Sequence, residues 1–174
     1  MLLIQFTGLS GSGKTTLAEN VRQLLIENNY KVEIIDGDVY RKTICKDLGF
    51  SKEDRCENVR RLFNVGQHFI KENTVVLMSV INPYESIRKE LRNHEFVRTV
   101  FLDCSVANLI ERDPKGLYKK ALLPDDNHNK IKNFTGISDV FEIPENADLT
   151  LKTDSEPVQF STRKLYDFII SNMS

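Results

Sequence analysis

Eight consecutive residues near the start of the chain have the types and spacing of a phosphate-binding loop. The segment Gly8-Leu9-Ser10-Gly11-Ser12-Gly13-Lys14-Thr15 matches the pattern G-x-x-x-x-G-K-[ST]. Its glycines let backbone N–H groups turn toward a phosphate, and the helix that follows adds partial positive charge. Lys14 is expected to bridge the β- and γ-phosphates and the Thr15 hydroxyl to hold Mg²⁺. The pattern predicts that this segment, together with Thr16, binds ATP with Mg²⁺.

Two carboxylates follow a short apolar segment further along the chain. In Asp36-Gly37-Asp38 both acids come directly after a predicted strand, and open α/β sheets bind ligands at the carboxyl ends of their strands. Carboxylates there can orient Mg²⁺ through water and accept the proton of an attacking hydroxyl. They also fit a strand-ending turn with solvated acids, so the tripeptide alone leaves both interpretations open.

Short apolar segments alternating with amphipathic stretches are expected to position these groups. Strands are predicted at 2–6, 32–35, 75–80, 97–102 and 149–152, and helices at 15–27, 52–71, 85–92, 105–112 and 158–171. Ser51 followed by Asp54 predicts a capping box for the longest helix. This alternation predicts an α/β fold, a P-loop NTPase-type three-layer sandwich with a mainly parallel five-stranded sheet. Residues 115–146 are polar, lack a strong core pattern and are predicted to form a lid.

The bulk properties fit one soluble domain spanning residues 1–174. The formal net charge is −1, with 40% hydrophobic and 28% charged residues, so no overall field attracts nucleic acid or anionic membrane. No apolar run approaches the roughly 18 residues that span a bilayer. The three cysteines form no zinc or disulfide pattern. We expect a cytoplasmic protein that binds neither nucleic acid nor a membrane.

Six further segments carry a family pattern. They are, in chain order, DGDVYR (36–41), DLGFSKEDR (47–55), ENVRR (57–61), INPY (81–84), RDPKGLYKKA (112–121) and KNFTGI (132–137). Together with the phosphate-binding loop, they resemble the adenylylsulfate (APS) kinases over essentially the whole chain. The resemblance implies transfer of the γ-phosphoryl group of ATP to the ribose 3′-hydroxyl of a nucleotide whose 5′-phosphate carries a small anionic group. It also implies a homodimer.

The resemblance assigns acceptor-binding roles position by position. The implied set is Asp38, Arg41, Phe50, Arg55, Asn58, Ile81, Asn82, Lys115 and Phe134. Arg41 and Arg55 would grip the phosphate and its attached anion bidentately. Phe50 and Phe134 would sandwich the base of the acceptor.

The resemblance also implies a catalytic set, Lys14, Asp38 and Lys115. Asp38 would orient or deprotonate the 3′-hydroxyl, and the two lysines would neutralise charge developing on the transferred group. Thr15 and Asp36 would together hold the Mg²⁺.

The chain departs from the family pattern in two places. Asn82 occupies a position where some bacterial members carry a phosphorylatable serine, and an amide cannot become a phosphoester, so a phosphoenzyme at this position is excluded. The lid contains an insertion, 122–129, and lacks the arginine usual after Ala121.

These departures bear on the identity of the acceptor. The chain also resembles cytidine diphosphoramidate kinases, a branch of the same family that serves bacterial capsule modification. On this basis we expect cytidine diphosphoramidate as the acceptor, with APS as the alternative. A non-catalytic nucleotide-binding module is a remote alternative, because such modules typically lose the lysine or the acids that Lys14, Asp36 and Asp38 provide here.

Overall fold

The computed structural model describes residues 1–173, and a five-stranded sheet forms its centre. The strands are β1 (Leu3–Thr7), β2 (Val32–Asp36), β3 (Val75–Ser79), β4 (Val97–Asp103) and β5 (Leu149–Lys152). Neighbouring strands all pair in parallel, in the order β2-β3-β1-β4-β5. The predicted α/β class is therefore confirmed, and the sheet of the described residues is entirely parallel. Every residue of β1 and β3 is buried, as expected for strands covered on both faces.

Helices cover the two faces of the sheet. They are α1 (Lys14–Glu27), α2 (Gly37–Tyr40), α3 (Lys52–Lys71), α4 (Glu85–Arg92), α5 (Val106–Arg112), α6 (Leu117–Ala121) and α7 (Val158–Ser171). One apolar cluster packs α1 and α7 against the sheet, and a second packs α3 and α4 against it. This is the predicted three-layer sandwich. No helix within residues 1–173 is long and apolar enough to cross a bilayer.

The predicted element boundaries agree with the structure to within one residue at each end. The Ser51 hydroxyl caps α3 by accepting a hydrogen bond from the Asp54 backbone N–H at 3.1 Å. The two short helices, α2 and α6, were not predicted. Each spans little more than one turn, which is too short for a 3.6-residue hydrophobic period to be visible.

The lid segment, residues 115–146, contains core residues that the sequence analysis did not predict. Tyr118, Ala121 and Thr135 are buried. Tyr118 belongs to a third apolar cluster together with Leu9 of the phosphate-binding loop, and Phe134 packs against that cluster. The lid segment therefore lies packed on the phosphate-binding loop in this structure, although most of its residues are polar.

Candidate active site

The predicted phosphate-binding loop connects β1 to α1. Gly11 and Gly13 have φ values of 78° and 96°, a left-handed conformation that glycine adopts without steric cost. The Lys14 ammonium folds back over the loop and donates hydrogen bonds to the carbonyl oxygens of Gly8 at 2.8 Å and Leu9 at 2.7 Å. These two hydrogen bonds hold the Lys14 side chain against the loop.

The electrostatic surroundings of Lys14 are unusual for a lysine. Burial, followed by the nearby Lys115 ammonium, lowers the pKa of Lys14 to about 7, while the Asp38 and Asp36 carboxylates act in the opposite direction. Both acids and the second lysine therefore lie within electrostatic range of the Lys14 amine. An anionic phosphate placed there would favour the protonated form of Lys14.

Asp36 links the end of β2 to the phosphate-binding loop. Its Oδ2 accepts a hydrogen bond from the Thr15 hydroxyl at 2.9 Å, and its Oδ1 accepts one from the Asp38 backbone N–H at 2.8 Å, which caps α2. The Ser79 hydroxyl, at the end of β3, lies 3.3 Å from the Thr15 hydroxyl. A carboxylate and two hydroxyls make a set of oxygen ligands suited to Mg²⁺, and this fits the predicted roles of Thr15 and Asp36.

Gly37 allows the two acids to sit at this strand end. A Cβ atom at Gly37 would come within 2.9 Å of a Val80 methyl group, so the backbone approaches the neighbouring strand end more closely than other residues allow.

Asp38, the second acid, pairs with Lys115 of the lid segment at 2.5 Å. Because the side chains of Asp38 and Lys115 are 73% and 51% exposed, this pair contributes little to stability and remains accessible to a ligand.

On the acceptor side, two arginines surround Phe50. The guanidinium carbons of Arg41 and Arg55 lie 4.5 and 5.4 Å from the centroid of the Phe50 ring, within the range of cation–π interactions. Arg41 also donates to the Gly49 carbonyl oxygen, and Arg55 donates to the carbonyl oxygens of Phe50 and Asn133. Phe50 is largely exposed, and its role in stacking a base stays a prediction.

Phe134 reaches the site from the lid segment. Its ring makes an edge-to-face contact with Tyr118, with 5.0 Å between centroids and 85° between planes. The Tyr118 hydroxyl in turn donates to the Ser10 carbonyl oxygen at 2.9 Å, and burial raises the pKa of the Tyr118 phenol. Tyr118 therefore joins the predicted base-stacking residue to the phosphate-binding loop.

One cleft of about 540 Å³ brings these groups together. All nine residues of the predicted acceptor-binding set line it, and so do Asp36 and six residues of the predicted ATP-binding set: Ser10, Gly11, Gly13, Lys14, Thr15 and Thr16. The remaining three, Gly8, Leu9 and Ser12, do not line the cleft and are largely buried. The separated sequence motifs thus converge on one cavity, and their individual roles stay predictions.

The cleft is also lined by residues that the sequence analysis did not single out. They are Gly37, Val59, Ser79, Val80, Pro83, Pro114, Leu117, Ile131, Lys132, Asn133 and Thr135. The signal for Lys132, Asn133 and Thr135 was present, because they flank Phe134 in the KNFTGI segment. Ser79 offered a weaker signal, since a polar residue that ends a buried parallel strand faces the ligand edge of the sheet.

The fold and the cleft define a class of protein. The sheet is parallel, and a Gly-rich loop with its lysine and threonine follows the central strand. This loop lies beside a cleft that contains acids and arginines. These features together define a P-loop phosphotransferase. The sequence profile of the family described as Adenylylsulphate kinase matches residues 1–152. The chain belongs to this family. It is an ATP-dependent, Mg²⁺-using enzyme that phosphorylates a nucleotide hydroxyl.

Individual relatives agree with the family match. The adenylyl-sulfate kinase of Deinococcus deserti is 45% identical over 168 residues, covering 96% of this chain and 90% of that protein. The adenylyl-sulfate kinase of Halothermothrix orenii is 42% identical and covers 95% of this chain and 88% of that protein. Among solved structures, the APS kinase of Mycobacterium tuberculosis in complex with AMPPNP and APS superposes with a TM-score of 0.90 at 34% identity, covering 97% of each chain.

A more distant neighbour shows the fold alone. Shikimate kinase from Aquifex aeolicus has a TM-score of 0.55 and 16% identity.

The relatives described above act as adenylyl-sulfate kinases, so the comparisons favour APS, the alternative acceptor, over the expected cytidine diphosphoramidate. The expectation rested on Asn82 and on the 122–129 insertion, two local departures in an otherwise family-like chain. The expected homodimer and cytoplasmic location stay predictions.

Proposed function

We propose that this protein transfers the γ-phosphoryl group of ATP to the ribose 3′-hydroxyl of adenylyl sulfate. The observation that carries the proposal is the single cleft in which Lys14 and the Asp38–Lys115 pair lie beside Phe50, Phe134 and the two arginines. A triphosphate on one side and a nucleotide with an anionic 5′ end on the other would fill such a cleft. The adenylyl-sulfate kinase relatives, at 45% and 42% identity, support the same acceptor.

The proposed reaction assigns one task to each side chain near the transferred group. The 3′-oxygen attacks the γ-phosphorus, its proton passes to the Asp38 carboxylate, and the bond to the β-phosphate oxygen breaks to release ADP. Lys14 and Lys115 neutralise charge on the transferred group, because phosphoryl transfer depends mainly on positioning and electrostatics. Thr15 and Asp36 would hold Mg²⁺, which when bound neutralises charge on the phosphate oxygens.

The acceptor pocket requires a small rearrangement of its arginines. Arg41 now donates to the Gly49 carbonyl oxygen, and Arg55 donates to the Phe50 carbonyl oxygen and also pairs with the Asp139 carboxylate at 3.3 Å. The phosphosulfate group of the acceptor would offer stronger, charge-assisted hydrogen bonds to the same guanidiniums. We propose that this exchange moves the arginines off the Phe50 ring and opens it for the adenine base, with Phe134 on the other side.

A competition assay tests the acceptor. Purified protein with Mg-ATP is supplied with APS or with cytidine diphosphoramidate, and kcat/KM is measured for each. The proposal expects clear preference for APS. Cytidine diphosphoramidate is the second candidate, favoured by Asn82 and by the 122–129 insertion in the lid segment, and a higher kcat/KM for it would reverse the assignment. ATP binding without transfer to either nucleotide would instead favour a non-catalytic module.

A further inference from the structure

A buried hydrogen-bond relay runs from the central strand to the turn after β3. Gln5, in the middle of β1, has no exposed surface, and its Nε2 donates to the Arg88 carbonyl oxygen at 3.1 Å and to the Thr99 hydroxyl at 2.8 Å. Gln5 Oε1 accepts from Asn82 Nδ2 at 2.9 Å. The Arg88 guanidinium holds the same turn from another direction by donating to the Asn82 carbonyl oxygen at 2.8 Å.

The relay permits one orientation of the Asn82 side chain. A backbone carbonyl oxygen can only accept, so Gln5 must present its nitrogen to Arg88 and its oxygen to Asn82. Asn82 must then present Nδ2 to Gln5, which directs its own Oδ1 away from the relay. That Oδ1 is buried and has no hydrogen-bond partner, an arrangement that is costly unless another group satisfies it.

The unpaired atom lies in a residue of the cleft wall. Asn82 lines the cleft, is only 1% exposed and has a φ of 47°, a left-handed conformation that asparagine tolerates better than most residues. Within residues 1–173, two further buried side-chain atoms without a partner, Asn58 Oδ1 and Thr135 Oγ1, also belong to residues lining this cleft, whereas the fourth, Arg22 Nε, lies outside it. Unpaired polar atoms thus concentrate where a ligand is expected.

We propose that Gln5 is a positioning residue for acceptor recognition. It locks Asn82 Oδ1, a buried atom of the cleft wall, as a hydrogen-bond acceptor that a shift of this wall on binding exposes to an N–H or O–H donor of the acceptor nucleoside. The inference rests on the proposed function and specifies the kind of group on the acceptor that Asn82 recognises, a hydrogen-bond donor. Two groups of the nucleoside carry such a donor: the ribose 2′-hydroxyl and the exocyclic amino group of the base. A serine at position 82 could donate or accept by rotating its hydroxyl, whereas Oδ1 of the locked Asn82 can only accept.

A cycle of protein variants and acceptor analogues tests the proposal. The acceptors are APS, its 2′-deoxy analogue and its inosine analogue, which lacks the amino group; the proteins are wild type, Asn82→Gly and Gln5→Met. Glycine removes the amide while keeping the left-handed backbone free of strain. Methionine keeps Asn82 but releases its amide from the relay. Thermal unfolding of each variant confirms that it is folded.

The decisive quantity is the ratio of kcat/KM between APS and each analogue. In wild type, loss of the recognised donor should lower kcat/KM by about 10- to 100-fold, because Oδ1 is left unpaired in the complex. In both variants the same analogue should lose less than about threefold, since the fixed acceptor is already gone. A purely structural role of Gln5 would lower all three activities together and leave these ratios unchanged.

Each outcome assigns or rejects the contact. If the loss of kcat/KM with the 2′-deoxy analogue is smaller in the variants than in the wild type, the donor is the ribose hydroxyl. If the loss with the inosine analogue is smaller in the variants, the donor is the amino group of the base. If each analogue lowers kcat/KM by the same factor in the wild type and in every folded variant, the inference is wrong while the proposed kinase function stands. If Gln5→Met does not fold, the Asn82→Gly ratios alone decide. Absence of transfer from ATP to APS by the wild type would reject the proposed function and this inference together.

Discussion

The two sides of the cleft are built in different ways. The ATP side is one continuous segment between β1 and α1, and its functional side chains are already engaged, Lys14 by loop carbonyl oxygens and Thr15 by Asp36. The acceptor side is assembled from segments far apart in the chain, and it includes the largely exposed Phe50 and Asp38. Phosphate recognition is thus encoded locally and held by the central strand, whereas acceptor recognition depends on how the lid segment packs.

The lid segment is the point where the two sides meet. Leu9 of the loop and Tyr118 of the lid share an apolar cluster, and a Cβ atom at Gly136 would come within 2.6 Å of a Leu9 methyl group. With a φ of 88° as well, Gly136 has both steric and conformational reasons to be glycine. The close packing means that Phe134, the predicted base-stacking residue, and the phosphate-binding loop cannot move independently by much without breaking this cluster.

The largest effect is expected at Asp38, the proposed proton acceptor on the acceptor side of the cleft. Asp38→Asn keeps the size of the side chain but removes the proton acceptor, so kcat should fall by about 10²- to 10⁴-fold, with acceptor binding nearly unchanged. Steady-state kinetics with APS and calorimetric binding of APS measure the two quantities. Asp126→Asn, at an exposed acid of the insertion, is the matched control. Near wild-type turnover in Asp38→Asn would assign the proton transfer to another group.

Phe134→Ala should weaken acceptor binding much more than ATP binding. Stacking of a base on an aromatic ring contributes about 1–3 kcal/mol, so the KM for APS should rise by about 10- to 100-fold. Phe160→Ala, at an exposed phenylalanine of α7 that does not line the cleft, should leave both constants unchanged. If Phe134→Ala weakened ATP as much as APS, the division between the two sides would be wrong.

The sheet and the place of the phosphate-binding loop after its first strand could be predicted because both depend on neighbouring residues, and the ATP-binding role of the loop residues stays a prediction. The loop pattern is one continuous run of residues, and each strand is a short apolar run that alternates with an amphipathic helix. The buried relay of Gln5 and Arg88 could not be predicted in this way, since a glutamine and an arginine in isolation read as surface residues. Gln5 is buried against Thr99 and Arg88, which lie 94 and 83 positions further along the chain, and Arg88 is bound to the carbonyl oxygen of Asn82.

The acceptor side was predictable only through the family pattern. Arg41, Phe50 and Arg55 have common structural roles when taken singly, and only the resemblance to the APS kinases implies that they form a base and anion site with Phe134. The core contacts of the lid segment were missed because Tyr118 and Ala121 lie on a five-residue helix, too short to show a repeating period, and because Thr135 is a polar residue type. Such contacts are set by what the segment packs against rather than by its own pattern.

The pKa of Lys14 gives the ATP side a pH dependence that the acceptor side should lack. Because the pKa of Lys14 is lowered to about 7 in the free protein, the amine is largely neutral above that pH, and a bound triphosphate would raise its pKa again. ATP binding above about pH 7 should therefore take up a proton, and ATP affinity should fall by up to about tenfold per pH unit as the pH rises.

Calorimetry at saturating Mg²⁺ in buffers of different ionisation enthalpy measures this proton uptake. Lys14→Arg is the matched control, because a guanidinium stays protonated throughout, and it should bind ATP more weakly but with little proton uptake. An uptake in Lys14→Arg equal to that of the wild type would place the titrating group elsewhere, and no uptake in the wild type would mean that Lys14 is already fully protonated in the free protein.

The smallest effect concerns the Tyr118 contact between the two sides. Tyr118→Phe keeps the ring beside Phe134 but removes the hydrogen bond to the Ser10 carbonyl oxygen, a neutral bond whose net contribution is about 1 kcal/mol. If this bond links the lid segment to the ATP loop, prior binding of AMPPNP should tighten APS binding by about fivefold less in the variant than in the wild type. Tyr166→Phe, on α7 and outside the cleft, should leave that coupling unchanged. Equal coupling in Tyr118→Phe and wild type would mean that the apolar cluster around Leu9 joins the two sides without help from the hydroxyl.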